Sequence, residues 1–335
     1  MDAHRPLSTI DIVDRTVSLY RANFRLFFVL PLLAGSVTFV LQELSMLASP
    51  ALYLPPQADG NPAAGFASAF ASYGASSSLG IVSWFLNLWA TCALVYAISR
   101  RYVGLDVTVA DAIRHSFGRI PYLFVTSLAL SFFIVLALVG VGFLLGGLVG
   151  GVGFVLDPGS RWSVVLMVVL GIGGMVLLLA GLLWVLRFWL HPATVVIERL
   201  GIGAALTRSS ELMRQAGHVS FRDRNDVRLT IVLTVLPAIG AAASSLALLP
   251  IAILGWGGFV LHWIDFSKPE EILHLLMSPL IAVQLAAGAL LHPLSIGVTV
   301  LFYYDLRYRI EGLDLEMRAL SLRKPRPQRA ASPAP

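Results

Sequence analysis

Long uninterrupted apolar stretches alternate along this chain with shorter segments whose apolar residues recur every three or four positions. A hydrocarbon core about 30 Å thick is crossed by about 20 apolar helical residues. Six stretches reach that length: residues 26–47, 79–98, 122–150, 164–190, 229–254 and 273–304. The third, fourth and sixth exceed it, which implies tilt, kinks or ends beyond the bilayer. Charged residues precede a first run that is itself of span length, so no cleavable signal peptide is expected.

The shorter periodic segments share a pattern. Ser8 precedes Asp11 by three positions, and Thr108 precedes Asp111 likewise, the acid form of a capping box at a helix start. Residues 201–209 keep the apolar positions and the closing hydroxyl at Ser209 but carry Ala204 in place of the acid. In the first segment Ile10, Val13, Val17, Tyr20 and Phe24 form one stripe, and in the second Val109, Ala112, Ile113, Ser116 and Ile120 do. Helices this short and charged do not span; beside a span they are expected in the interface plane. A second trace follows the spans, as Gly104-Leu105-Asp106 and Gly312-Leu313-Asp314, with a weaker echo around Glu198-Arg199-Leu200. The fold class expected is therefore an all-α integral membrane protein with six transmembrane helices and three short interfacial amphipathic helices. It reads as three helix–span–span units, 8–107, 108–200 and 201–315, within one transmembrane domain over 1–320. Residues 321–335 form a basic, proline-rich tail expected to be disordered.

Composition agrees with that class. Hydrophobic residues make up 57% of the 335 positions and charged residues 13%, where soluble domains carry roughly 25% charged; the mean hydropathy is +0.80. A lone Cys92 excludes an intrachain disulfide framework and a cysteine-built zinc site. Charge orients the chain. Of the 24 basic residues, only Arg161 and Lys268 fall in the 48–78, 151–163 and 255–272 loops; the other 22 lie on the opposite side. Both termini are thus expected in the cytoplasm of a bacterial inner membrane. The arginines can attract anionic headgroups at ~1 kcal/mol each, so membrane lipids are expected partners, with a membrane or cytoplasmic protein as another. Nucleic acid is not, because no reader motif accompanies the charge. The outer 48–78 loop, rich in Ala, Ser, Gly and Pro, reads as a flexible cap or short hairpin, and 255–272 as an interfacial aromatic belt with a turn.

Catalytic motifs are missing: there is no nucleophile elbow, paired-histidine zinc helix or phosphate-binding Gly-Lys loop, and no cofactor is implied. The glycine run from Gly140 to Gly151 repeats at four-residue spacing, which suits close helix packing and makes spans three and four expected neighbours. Ionisable groups at membrane depth are the remaining candidates. His292 lies near mid-membrane and precedes Pro293, which frees a carbonyl in the preceding turn. It either satisfies that kink or forms a proton or ligand site with Gln284, Asn87 and Glu43. His191-Pro192, at the end of span four, reads as a helix terminator. Asp305, at the cytoplasmic end of span six, is expected in a structural ion pair with Arg307, Arg309 or Arg208 that docks the span on an interfacial helix.

Three blocks also resemble a bacterial family. The opening from Ile10 to Phe24, the stretch from Pro192 to Leu212, and the stretch from Leu301 to Leu315 are similar to multi-pass proteins of the glycerophosphoryl diester phosphodiesterase membrane-domain family. The charged stretch from Phe221 to Arg228 departs from that pattern and lengthens the loop before span five. The resemblance implies a membrane fold and no established activity, because the soluble phosphodiesterase domain found in some relatives has no counterpart here. The expected function is a non-enzymatic membrane protein that meets lipids or partners through its cytoplasmic helices. The alternative is a transporter or channel subunit with a site near His292, distinguished by a polar mid-membrane cavity. A membrane-bound enzyme using Glu198, Glu211 and His218 is a third class.

Overall fold

The computed structural model describes residues 7–48, 62–155, 161–214, 224–260 and 278–312; the expected tail lies outside them, as do His218, His262 and Lys268. The described residues form helices without strands: α1 (Thr9–Ala22), α2 (Phe24–Ala48), α3 (Pro62–Tyr102), α4 (Val109–Phe117), α5 (Ile120–Val155), α6 (Arg161–Leu186), α7 (His191–Val196), α8 (Ile202–Met213), α9 (Asn225–Val260) and α10 (Ser278–Glu311). Five segments are long and apolar enough to cross a membrane, namely Phe24–Ala48, Leu79–Tyr102, Ile120–Gly140, Asn225–Gly258 and Ser278–Glu311. The chain is an all-α protein of membrane character.

Local chemistry explains the helix starts. Ser8 accepts from the Asp11 amide while the Asp11 carboxylate accepts from the Ser8 amide, and Thr108 with Asp111 repeats the arrangement. At α8 the cap is Gly201 with no side-chain bond, as the alanine at 204 requires. Aligned positions behave alike: Ile12, Ala112 and Ala205 are fully buried, and so, four residues on, are Thr16, Ser116 and Ser209. Three turns also close alike. Gly104 (φ 81°), Arg199 (φ 58°) and Gly312 (φ 62°) are left-handed residues closing α3, the turn after α7, and α10. Glycine adopts that conformation freely; an arginine there carries a strain of roughly 1–2 kcal/mol.

Three expectations need correction. The 48–78 loop is not a hairpin cap from Pro62 onward, since those residues are the first turns of α3: proline fits the first helical position and the alanines favour helix. His191-Pro192 opens α7 rather than closing a span, because α6 ends at Leu186 and Pro192 occupies the tolerated first turn. At its described positions the glycine stripe is not a close-packing seam either. A Cβ on Gly140, Gly142, Gly146, Gly171, Gly173 or Gly181 would meet nothing within 4 Å, although α5 and α6 do pack together. The tight approaches lie elsewhere. A Cβ on Gly297 would sit 2.6 Å from Thr16 Cγ2, and one on Gly240 2.9 Å from Leu291 Cδ1. Those contacts seat α1 and α9 against α10.

The core gathers at one end of the bundle. Leu94 and Ile98 of α3, Leu123 of α5, Leu190, Leu212 of α8 and the run Val298–Leu306 of α10 join one buried cluster. Helices α1, α4, α7 and α8 all attach at this end, which is cytoplasmic in the topology the charges imply. The α1 stripe differs from its sequence pattern: Ile12 and Thr16 face the core, while Ile10 is 80% exposed.

Candidate functional site

Two polar arrangements stand out: charged knots at the C-terminal end of α10, and a pocket along its first half.

Asp305 is fully buried. Its Oδ1 accepts from the Leu7 amide at 2.7 Å, and its Oδ2 accepts from Arg228 Nη2 and Arg309 Nε, each at 2.9 Å. Both arginines also donate to the Leu7 carbonyl, at 2.9 and 2.7 Å. The Arg228 guanidinium lies 5.4 Å from the Phe302 ring centroid. One carboxylate thus fastens the segment entering α1, the first turn of α9 and the end of α10.

Arg307 and Arg208, the other partners considered for Asp305, bind elsewhere. Arg208 Nε donates to Glu198 at 3.0 Å and its Nη2 to Glu311, while Arg307 Nε donates to Glu311 at 2.7 Å. Tyr303 Oη donates to Glu198 at 2.6 Å. Two acids and two bases therefore alternate around a half-buried ring that joins α8 and the turn after α7 to α10. Glu198 is held as a structural anion here. Glu211 is exposed.

The reason lies in register. On a helix, residue 307 points away from residue 305, whereas 309 lies one turn above it. Arg228 was the residue that sequence reasoning missed. The signal was present: an arginine adjoining the first apolar residue of span five can be buried only if an acid pairs with it, and Asp305 does so here.

The pocket encloses about 310 Å³ between α2, α3 and α10. Pro31, Gly35, Thr38 and Gln42 line it from α2, Asn87 from α3, and Gln284, Gly288 and His292 from α10. The structure thus brings His292, Asn87 and Gln284 together. Glu43 does not line the pocket; it accepts from Ser278 Oγ at 2.8 Å, tying the end of α2 to the start of α10. His292 Nε2 lies 3.1 Å from Thr91 Oγ1, and Thr91 donates its single hydroxyl proton to the Asn87 carbonyl at 2.8 Å. With Thr91 donating to Asn87, Nε2 is the donor to Thr91 in the tautomer that leaves the Nδ1 lone pair free. His191 shows the opposite, satisfied pattern. Its Nδ1 meets the Phe188 carbonyl at 2.9 Å and its Nε2 meets Ser127 Oγ at 3.0 Å.

No family model, curated protein or solved structure matches this chain.

What the pocket can do therefore follows from its own groups. It offers amide donors and acceptors at Asn87, Gln284 and Gln42, a hydroxyl at Thr38, and an imidazole acceptor. Among the described residues no three His, Cys, Asp or Glu groups converge as metal ligands. This lining suits hydrogen bonding to a small polar group.

Proposed function

We propose that the chain is a six-span protein of a bacterial cytoplasmic membrane, with both termini cytoplasmic, that binds a small polar solute or headgroup at the His292 pocket in the manner of a transporter or channel subunit. The observation that carries this reading is the pocket itself. Asn87 and Gln284 are exposed side chains within membrane-crossing helices. Of Asn87's amide groups only Nδ2 is engaged among the described residues, donating to the Ser83 carbonyl at 2.9 Å. Amides facing hydrocarbon cost several kcal/mol unless water, protein or a ligand partners them. A wet or occupied pocket removes that cost. Helix α6, with 26 residues, supplies the remaining crossing at roughly 39 Å of length. The aligned burial of Ile12, Ala112 and Ala205 and the three left-handed closures support the repeated helix–span–span unit. In this topology the pocket occupies the outer half of the bundle, running ~17 Å along α10 from Ile281 to His292.

A second reading gives the cytoplasmic helices a role with lipids or protein partners. Its support is Ile10 at 80% and Phe117 at 63% exposure on α1 and α4. Neither reading includes a catalytic step, and the resemblance to the phosphodiesterase-associated membrane family adds none.

Topology is tested by reporter fusions: Gly60, Gly159 and Ser267 should score external, and Gly118, His218 and Arg329 internal. One reversed site breaks the assignment. Binding is tested by mass spectrometry of small molecules extracted from purified wild-type and His292→Ala protein. A polar species retained by the wild type and reduced at least tenfold in the variant is expected. Identical extracts would sink the pocket reading.

A further inference from the structure

On a different face, two open pockets of about 460 and 360 Å³ adjoin at Arg114 and His115 of α4. Arg100 and Tyr96 of α3 line the first, and Arg119, Tyr122 and Arg199 the second. The acids of this groove are already engaged: Asp106 pairs with Arg101, and Asp111 serves its capping box. Among the described residues Arg100, Arg114, Arg119 and Arg199 have no carboxylate salt-bridge partner. Four guanidinium groups thus line one groove without a carboxylate in salt-bridge contact, Asp111 acting on Arg100 and Arg114 only through space.

The groove is also shaped. The His115 ring stacks on Tyr96 with centroids 4.0 Å apart and planes 17° from parallel. Arg119 Nη1 donates to the Arg199 carbonyl at 3.1 Å and lies 5.6 Å from the centre of the Tyr122 ring. Arg199 holds a left-handed conformation where the other two units have Gly104 and Gly312. Stability is given up there to keep an arginine, and backbone strain held against an easy alternative marks a functional position.

We propose that this groove is a binding site for a phosphate-bearing anion, supplied by the headgroup of an anionic phospholipid. Guanidinium groups match phosphate oxygens in bidentate geometry. The aromatic rim decides for lipid over a soluble phosphate. Phe117 is 63% and Tyr122 42% exposed, and Tyr122 stands in the first turn of a membrane-crossing helix, the level at which aromatic rings meet headgroups. Acyl chains can then run along α5 while the phosphate sits at Arg119 and Arg199. Binding is coupled to protons. Burial, with Arg199, Arg119 and Arg100 nearby, holds His115 below its ordinary pKa. An anion seated among those arginines, in a groove that Asp111 also lines, offsets their charge and favours the imidazolium. The site is independent of the His292 reading and survives its failure.

Full-length protein in mixed micelles carrying equal phosphatidylglycerol and phosphatidylcholine is analysed by native mass spectrometry. Wild type should retain phosphatidylglycerol preferentially. Arg100→Gln with Arg114→Gln, both exposed and without side-chain hydrogen bonds among the described residues, should cut that preference about thirtyfold. Arg21→Gln with Arg25→Gln, both exposed and an equal charge change outside the groove, should leave it intact. Arg199→Gly should lower the preference while raising the melting temperature, an outcome no unfolding artefact gives. Lowering the pH from 7.5 to 5.5 should strengthen retention in wild type and not in His115→Gln. Millimolar inorganic phosphate that displaces the lipid and raises the melting temperature through the same arginines would reassign the site to a soluble anion and overturn the lipid source. Equal preference in wild type and the Arg100/Arg114 variant would overturn the site.

Discussion

The two halves of α10 obey opposite rules. From Gly297 to Leu306 every residue is buried, polar Thr299 and Asp305 included, whereas from Ile281 to Gly288 exposed and half-buried positions alternate and Gln284 faces open space. The difference is the number of neighbours. Around this half the segment entering α1, the start of α9 and α8 bond to the helix, and Leu26, Phe27 and Leu30 of α2 and Leu94 and Ile98 of α3 share its buried cluster, so no face is left for lipid or water. At the other end, among the described residues, α2 and α3 border a gap that opens beside Gly288 and Asn87. One end is a clamp and the other holds a pocket. A helix that is buried on all sides needs its polar groups paired; a helix beside a pocket can leave them for a ligand.

The largest effect expected from that contrast is at Asp305. Asp305→Ala leaves Arg228 buried without its counterion, which costs about 3–5 kcal/mol and should lower the melting temperature in detergent by many degrees. His292→Ala should change it little. Comparable losses from both would erase the distinction between clamp and pocket. Next comes Gly297→Ala, whose added methyl meets the stiff Thr16 side chain at 2.6 Å and should cost about 1–3 kcal/mol. Gly142→Ala, with open space around it, should be neutral or slightly stabilising. Arg199→Gly should gain roughly 1–2 kcal/mol by relieving the left-handed arginine, read as a higher denaturation midpoint.

The smallest effect is a pH dependence. His115 has its pKa lowered by burial and three arginines, so the unfolded chain binds the proton more readily than the folded one. Stability is then full above the ordinary value of 6.5 and declines as the pH falls through it. His115→Gln should remove the slope in lipid-free detergent between pH 7.5 and 5.5, and a slope unchanged by that substitution would place its cause elsewhere.

The sequence revealed the long helices and the capped starts of α1 and α4 because both are local. Apolar runs of span length and a hydroxyl three residues before an acid carry their own physics. It also singled out His292, Gln284 and Asn87, since polar groups are conspicuous in an apolar run. What it could not supply was register between helices. Arg228 and Asp305 are 77 positions apart, and nothing local distinguishes Arg309 from Arg307 as the partner until one asks which lies a full turn away. The glycines of α5 misled for the same reason: spacing shows where a close approach is allowed, not where a neighbour stands. Helix α3 began early because an alanine-rich stretch reads as linker by composition and as helix by propensity.

The contrast along α10 is open to one direct measurement. In a Cys92→Ala background, single cysteines from Ile281 to Leu306 are treated in intact membranes with a small charged thiol reagent. The account predicts reaction at Ile281, Gln284 and Gly288, and none from Val298 to Leu306. Reaction spread evenly along the helix, or absent from Gln284 and Gly288, would contradict it.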